Sequence, residues 1–336
     1  MLFCALLAVA AAAVVTAYSP WSPAADSDSG VVRQIGSAPT PTPSPSESES
    51  ESEPSPPADR SEEPRADPPA DPPTVTIPTS FPDETNTGVP DGVELRRSPG
   101  FDVVEDGAVI ENLLIVDGSI EVWADNVTIR NVRISNTSQD MLWGILQRSG
   151  HSGLVVEDSE IYGSGDGHLA AGITNHGGMI TIRRVEIHTV SDAINTETGL
   201  LEANYLHSPA HVSGDHNDMV QANGGPVAGH RLEIRGNTII NDLSQTGAIS
   251  LFANFSEVRN VEVVGNFLAG GGYTVYGGGL TEDGRSPANV VFRDNVFSRH
   301  VFPDGGFYGP VAHFDQNAPG NVWSGNVWED GSPVRV

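Results

Sequence analysis

The chain has 336 residues, of which 17 are basic and 44 are acidic, so its formal net charge is −27. Every basic residue is an arginine. This excess of negative charge argues against binding to nucleic acid or to an anionic membrane surface. The only cysteine is Cys4, so the rest of the chain has no disulfide, thiolate nucleophile or cysteine-ligated metal.

The first 90 residues differ in composition from the rest of the chain. Residues 1–17 form an apolar run that ends in small residues, which predicts a secretory signal peptide or an uncleaved anchor. Residues 18–90 are rich in Pro, Ser, Thr and acidic residues, which predicts a disordered acidic linker because little can be buried. We therefore predict one folded domain over residues 91–336 in a secreted protein, or in a protein tethered at the cell surface if the anchor is retained.

A short apolar pattern recurs along the predicted domain. The spacing between copies varies from 19 to 33 residues, and the copies end at Ile134, Ile161, Ile187, Leu206, Ile239, Leu268 and Phe297. A second set of short apolar segments lies between these copies, centred on Ile145, Ile173, Ile194, Val220 and Ile249. A fixed unit interrupted by loops of different length is typical of a solenoid, in which successive coils stack as parallel strands about 4.8 Å apart.

Stacking should make residues at equal offsets in successive coils into neighbours. One such position alternates in charge, reading Arg130, Glu157, Arg183, Glu202 and Arg235. Alternating charge avoids repulsion between stacked side chains. A second position reads Asn204, Asn237, Asn266, Asn295 and Asn326, and stacked amides can bond to one another along the axis of a solenoid. Both columns predict the same register, and we assign them no catalytic role.

The units 126–132 (NVTIRNV) and 230–239 (HRLEIRGNTI) resemble the right-handed parallel β-helix proteins of the pectin-lyase-like superfamily, of the secreted bacterial type. The resemblance covers roughly residues 92–336 and implies an all-β, right-handed parallel β-helix solenoid. It leaves function open, because this superfamily includes lyases, hydrolases, epimerases and non-catalytic surface proteins.

Two aspartates fall beside each other when the second set of segments is aligned. With Ile194 and Val220 level, Asp192 and Asp218 each lie two residues earlier, which predicts a separation of about one strand spacing. Carboxylates this close do not readily ionise together, so one should keep a proton or bind a cation. Either arrangement suits glycosidic-bond chemistry. The alternative is that each aspartate caps a turn.

Other polar residues follow the same alignment on both sides of the aspartates. As further catalytic candidates we name His216, Arg148 and His176. As candidate substrate-binding residues we name Asn195, Gln221, Glu197 and Asn223. The set combines cationic, titratable and hydrogen-bonding side chains on one predicted face.

These residues predict a secreted carbohydrate-active enzyme that cleaves a polysaccharide, either as a lyase or as a glycoside hydrolase. The alternative is a non-catalytic extracellular β-helix module that binds a glycan or a protein. A calcium site made of Asp215, Asp218 and Glu197 is compatible with both. The resemblance implies an Asn-x-Asp-Gly motif in hydrolases, of which only Asp218 is present, and an Arg or Lys base in lyases, for which Arg148 is the candidate. We expect a monomer.

Overall fold

The computed structural model describes residues 75–336 apart from residues 139, 165–166 and 280–286. The predicted signal segment and residues 18–74 of the predicted linker lie outside the described residues. The described part contains 26 β-strands and no α-helix. It accordingly contains no helix of the length and apolarity needed to cross a membrane.

All the paired strands run parallel, in agreement with the predicted solenoid. In chain order, the first thirteen are β1 (Arg96–Ser98), β2 (Phe101–Val103), β3 (Val109–Val116), β4 (Ile120–Val122), β5 (Thr128–Asn136), β6 (Ile145–Gln147), β7 (Leu154–Glu157), β8 (Glu160–Gly163), β9 (Ala171–Asn175), β10 (Ile180–Arg183), β11 (Glu186–His188), β12 (Asp192–Asn195) and β13 (Gly199–Glu202). The remaining strands are β14 (Tyr205–His207), β15 (Val220–Ala222), β16 (Leu232–Arg235), β17 (Thr238–Asn241), β18 (Ile249–Leu251), β19 (Arg259–Val264), β20 (Phe267–Gly270), β21 (Tyr273–Gly277), β22 (Ala288–Arg293), β23 (Val296–Ser298), β24 (Gly309–Ala312), β25 (Val322–Ser324) and β26 (Val327–Trp328).

The strands stack in three columns, which we call faces A, B and C. Face A runs from the first halves of β3 and β5 through β7, β10, β13, β16, β19, β22 and β25. Face B runs from β1 and the second halves of β3 and β5 through β8, β11, β14, β17, β20, β23 and β26. Face C is a separate nine-stranded sheet made of β2, β4, β6, β9, β12, β15, β18, β21 and β24. The chain is therefore a parallel β-helix whose core lies between the three faces.

The corner between faces A and B shows why the repeated unit has its form. The residue at the bend has a positive φ, for example 53° at Ala203 and 62° at Gly236. The next residue is the predicted asparagine, whose buried side chain bonds to its neighbours in the coils above and below. Nδ2 of Asn204 donates to Oδ1 of Asn237 at 2.9 Å, and the same 2.9 Å bond recurs up to Asn326. The predicted asparagine column is confirmed.

The predicted charge column is also in register on face A. Arg130 lies level with Glu157, and Arg183 lies level with both Glu157 and Glu202. Nε of Arg183 is 2.7 Å from a carboxylate oxygen of Glu157, and Nε of Arg235 is 3.0 Å from Glu202. These pairs are partly exposed, so they report the register more than they stabilise the fold.

The folded part extends further towards the N-terminus than the predicted boundary at residue 91. Val75, Ile77 and Phe81 pack on an apolar patch of face B, where the rings of Phe81 and Phe267 are 5.6 Å apart. The backbone N–H of Gly88 also donates to the carbonyl of Arg184 at 3.0 Å. The few apolar residues of this acidic segment are thus sufficient to hold residues 75–90 against the β-helix.

Candidate functional site on face C

The alternation of side chains breaks at the start of the face C strands. Ala193 and Ile194 are consecutive but both lie in the core, as do Met219 and Val220. When two successive side chains point inward, the side chain before the pair points to the outer side of the sheet. Asp192 and Asp218 therefore share the outer side with Asn195 and Gln221, as the interpretation of a bend at this point requires.

The predicted register of this face is confirmed. Ile194 pairs with Ile173 and Val220, and Asn195 pairs with Gln221. Oδ1 of Asp192 accepts a hydrogen bond of 2.9 Å from the backbone N–H of Asp218. The two aspartates are therefore neighbours, but they are linked through the backbone of one of them. This bond also gives Asp192 part of the capping role that we considered as the alternative.

Each aspartate is also held by an amide three residues later. Nδ2 of Asn195 donates to Oδ2 of Asp192 at 3.3 Å, and Nε2 of Gln221 donates to Oδ2 of Asp218 at 2.8 Å. Asp192 is partly exposed, whereas Asp218 has no solvent-accessible surface. Only Asp192 of the pair can therefore contact a bound molecule directly.

Burial changes the protonation of the pair. It raises the pKa of Asp192 to about 7, and the negative charge of Asp218 adds to this increase. Burial also raises the pKa of Asp218, against the opposing effects of Ser250, Gln221 and the backbone of Gly247. The pair therefore holds a proton at a pH where an ordinary aspartate has lost it.

A polar cavity of about 520 Å³ adjoins the two amides. Five of the predicted site residues line it, namely His176, Asn195, Glu197, Gln221 and Asn223. Nδ2 of Asn223 donates to Oε1 of Gln221 at 2.8 Å, which continues the hydrogen-bonded chain from Asp218 to the cavity wall. Burial raises the pKa of Glu197. The structure thus brings together all four of the predicted substrate-binding residues beside the aspartates.

Two of the predicted catalytic residues have other surroundings. Nε of Arg148 donates to Glu121 at 2.9 Å, and the guanidinium lies 4.6 Å from the ring of Trp123 and 5.5 Å from that of Trp143. Arg148 is therefore occupied by an ion pair and two aromatic rings and is a poor candidate for a base. His216 is exposed just before Asp218, and its charge lowers the pKa of that carboxyl.

The predicted calcium ligands are not brought together. Asp215 contacts the hydroxyl of Ser191 and lies 2.8 Å from Nε2 of His168, whereas Glu197 lines the cavity and Asp218 faces Gln221. Among the residues that the structure describes, no group of three or more His, Cys, Asp or Glu side chains is placed to hold a metal ion. Proximity in sequence does not bring these ligands together: Asp215 and Asp218 are three residues apart, yet Asp215 pairs with His168 and Asp218 with Gln221.

Face C also contains polar atoms that are buried without a hydrogen-bond partner in the described structure. Two of them, Thr174 Oγ1 and Asn195 Oδ1, belong to residues on the outer side of neighbouring strands. An unsatisfied buried polar atom costs about 1–3 kcal/mol. Both residues line the cavity, so a polar group bound there would remove this cost.

Sequence reasoning missed an aromatic group on the same face. Ile249 pairs with Val275, and Ser250 pairs with Tyr276. Extending the alignment by one more coil would have found Tyr276 one residue after the level position and Tyr273 two residues before it. The alignment of the second strand set ends at Ile249, one coil before these tyrosines.

Comparisons of the chain with protein-family models, with curated proteins and with solved structures find no match. The parallel strand pairing shows the β-helix architecture without their support. Membership of the pectin-lyase-like superfamily and the roles of the site residues stay predictions.

Proposed function

We propose that this chain is a secreted carbohydrate-active enzyme of the pectin-lyase-like type, which cleaves a polysaccharide bound along the outer side of face C. The observation that carries this proposal is the partly exposed carboxyl of Asp192. Its pKa is raised to about 7, and it lies beside Asp218 and a polar cavity. An acid that keeps its proton at neutral pH is what protonation of a glycosidic oxygen requires.

The two aspartates take different roles in this proposal. Asp192 is the general acid, because it is the member of the pair that reaches the surface. Asp218 is a positioning residue: its backbone N–H binds Oδ1 of Asp192, and its charge helps to raise the pKa of Asp192. Asn195, Gln221, Glu197 and Asn223 bind sugar hydroxyls from the cavity wall.

The charges around the cavity favour hydrolysis over elimination. Elimination needs a base and a cation that neutralises the uronate carboxylate. The described lining of the cavity contains no arginine, and Arg148 is paired with Glu121. Hydrolysis needs an acid and a second carboxylate, which acts as the nucleophile or as the base that takes a proton from the attacking water. Glu197 in the cavity lining is the carboxylate available for this second role.

One observation supports a second candidate function, a non-catalytic module that binds glycan. Asp218 is completely buried, so the predicted pair is not open to a substrate as a pair. In that case the polar cavity would bind sugar without cleaving it. The same residues Asn195 and Gln221 would then hold the ligand.

A panel of neutral and acidic polysaccharides distinguishes these possibilities. Hydrolysis releases reducing ends without new ultraviolet absorbance, whereas elimination produces the absorbance of unsaturated uronates. We expect Asp192→Asn to lower the rate about 10²–10⁴-fold, and the wild-type rate to fall as the pH rises through about 7 because Asp192 loses its proton. Asp304→Asn, at an exposed aspartate outside the cavity, is the matched control.

Each outcome has a clear meaning. Cleavage that Asp192→Asn leaves unchanged would exclude Asp192 as the acid. Glycan binding without cleavage of any member of the panel would favour the binding module. Neither binding nor cleavage would overturn the carbohydrate assignment.

A further inference from the structure

The outer side of face C continues past the aspartates into a group of aromatic rings. On the line of Asn195 and Gln221, the next coils contribute Ser250 and then Tyr276. On the line of the aspartates, they contribute Gly247 and then Tyr273. Because each coil adds about 4.8 Å, Tyr273 lies about 10 Å from Asp218 along the axis.

The rings are arranged as an open platform. Those of Tyr273 and Tyr276 are 5.6 Å apart and nearly perpendicular, and those of Tyr273 and Tyr308 are 5.8 Å apart. Tyr308 is 66% exposed, and its neighbour Phe307 is 54% exposed. Rings this exposed contribute little to the core, so a ligand that covers them gains the free energy of removing their surface from water.

The tyrosines are linked to Asp218 through electrostatics. Burial raises the pKa of the Tyr276 phenol, and the charge of Asp218 adds to the increase. Tyr276 therefore stays protonated and can donate a hydrogen bond. Ser250 lies between the two in the strand order, and its hydroxyl is one of the groups that lower the pKa of Asp218.

The charge on this side of face C selects among sugars. The groups nearest the platform are the phenols of the tyrosines and the ring of His313, which stacks 6.0 Å from that of Tyr276. The nearest carboxyl on the line of Tyr273 is that of Asp218, two coils away, and Asp192 lies one coil further. A uronate would add a further negative charge here, which is unfavourable in a half-buried site. A neutral sugar offers an apolar ring face to the aromatic rings and hydroxyl groups to the phenols and to Gln221.

We propose that Tyr273, Tyr276 and Tyr308 form a subsite that stacks on a neutral sugar ring of the polysaccharide, two coils beyond Asp218. This inference rests on the proposed function and specifies its substrate as a neutral glycan. The bound chain runs along the solenoid axis from the amide-lined cavity, past Asp192, to the tyrosines.

The test is calorimetric titration of the full chain carrying Asp192→Asn, which prevents turnover. The ligands are cello-, xylo-, manno- and galacto-oligosaccharides, with oligogalacturonate as the acidic comparison. We expect Tyr308→Ala in this background to weaken binding of a neutral oligosaccharide about three- to tenfold. Tyr308→Phe keeps the ring and should change the affinity less than twofold. Val109→Ala, at an exposed residue of face A, is the remote control.

The results separate this inference from the proposed function. Unchanged affinity in Tyr308→Ala, tighter binding of oligogalacturonate, or no binding of any neutral oligosaccharide would overturn the subsite, even if cleavage is observed. Weaker binding in Tyr308→Ala together with a wild-type chain that cleaves nothing would support the subsite and reject the enzyme. A dimer in solution that Tyr308→Ala dissociates would show that a second copy occupies the platform, and would also overturn the proposal.

Discussion

Two columns of stacked polar side chains run through the same coils, yet they differ in how their hydrogen bonds are satisfied. In the asparagine column at the corner of faces A and B, each amide bonds to the next coil at 2.9 Å. On the outer side of face C the stacked residues differ from coil to coil, and Thr174 and Asn195 each retain an unpartnered buried atom. Identical neighbours satisfy one another and stabilise the fold, whereas unlike neighbours leave bonding capacity for a ligand.

The largest change in stability is expected for a substitution in the asparagine column, whose hydrogen bonds are all satisfied. Asn266 has no exposed surface and accepts from both the N–H and the side chain of Asn237, while donating to Ile234 O and to Asn295. Asn266→Ala leaves these buried groups unpaired, so we expect a loss of about 3–5 kcal/mol in the free energy of unfolding, measured with denaturant. Asn317→Ala, at an exposed asparagine, should change it little. A small effect at Asn266 would remove the contrast between the columns.

The next largest expected effect is a pH-dependent change in the free energy of unfolding, caused by Asp192 on face C. Folded Asp192 keeps its proton up to about pH 7, whereas the unfolded chain loses it near 3.8. The folded state therefore binds the additional proton between these values, and stability falls as the pH rises through this window. Asp192→Asn removes the free-energy cost of ionising this carboxyl in the folded state. The free energy of unfolding of the variant should therefore exceed that of the wild type by about 2–4 kcal/mol above pH 7 and should equal it below pH 4.

The measurement for Asp192 is denaturant unfolding at pH 4 and pH 8, with Asp304→Asn as the control. An equal difference between variant and wild type at the two pH values would show that the carboxyl titrates normally. That result would also remove the physical basis for Asp192 as a proton donor at neutral pH.

A pair of threonines sharpens the comparison with effects of opposite sign. Oγ1 of Thr196 accepts from Asn175 at 3.0 Å and donates to Thr198 O at 2.9 Å, so Thr196→Val should cost about 1–2 kcal/mol. Thr174 is equally buried but its hydroxyl has no partner, so Thr174→Val should be neutral or stabilising by about 1 kcal/mol. Thermal unfolding of the two variants side by side tests this. Equal destabilisation would mean that an ordered water satisfies Thr174.

The smallest effect is expected in the charge column of face A. Nε of Arg235 lies 3.0 Å from Glu202, but the arginine side chain is 47% exposed. Arg235→Ala should therefore change the free energy of unfolding by about 0.5 kcal/mol or less, and by less still in high salt. A loss comparable to that of Asn266→Ala would mean that the exposed column stabilises the coils as much as the buried one does.

Much of the register could be predicted because stacking turns equal offsets into contacts. The pairings of Ile194 with Val220 and of Asn195 with Gln221, and the bonds from Asn204 to Asn326, follow from that rule alone. The pairing of Arg148 with Glu121 could not be derived in this way, because Glu121 is level with Leu146 and the arginine side chain reaches it from a different offset.

The sequence by itself determined the solenoid, its coil boundaries and the adjacency of Asp192 and Asp218, because a repeat encodes which residues share a position on successive coils. Only the tertiary structure decided that Asp218 is fully buried, that Asp192 reaches the surface, that Asp215 and Glu197 stay apart, and that residues 75–90 pack on face B. The physical reason is that register is a property of the backbone repeat. Burial and side-chain direction depend on loops and neighbours that do not repeat.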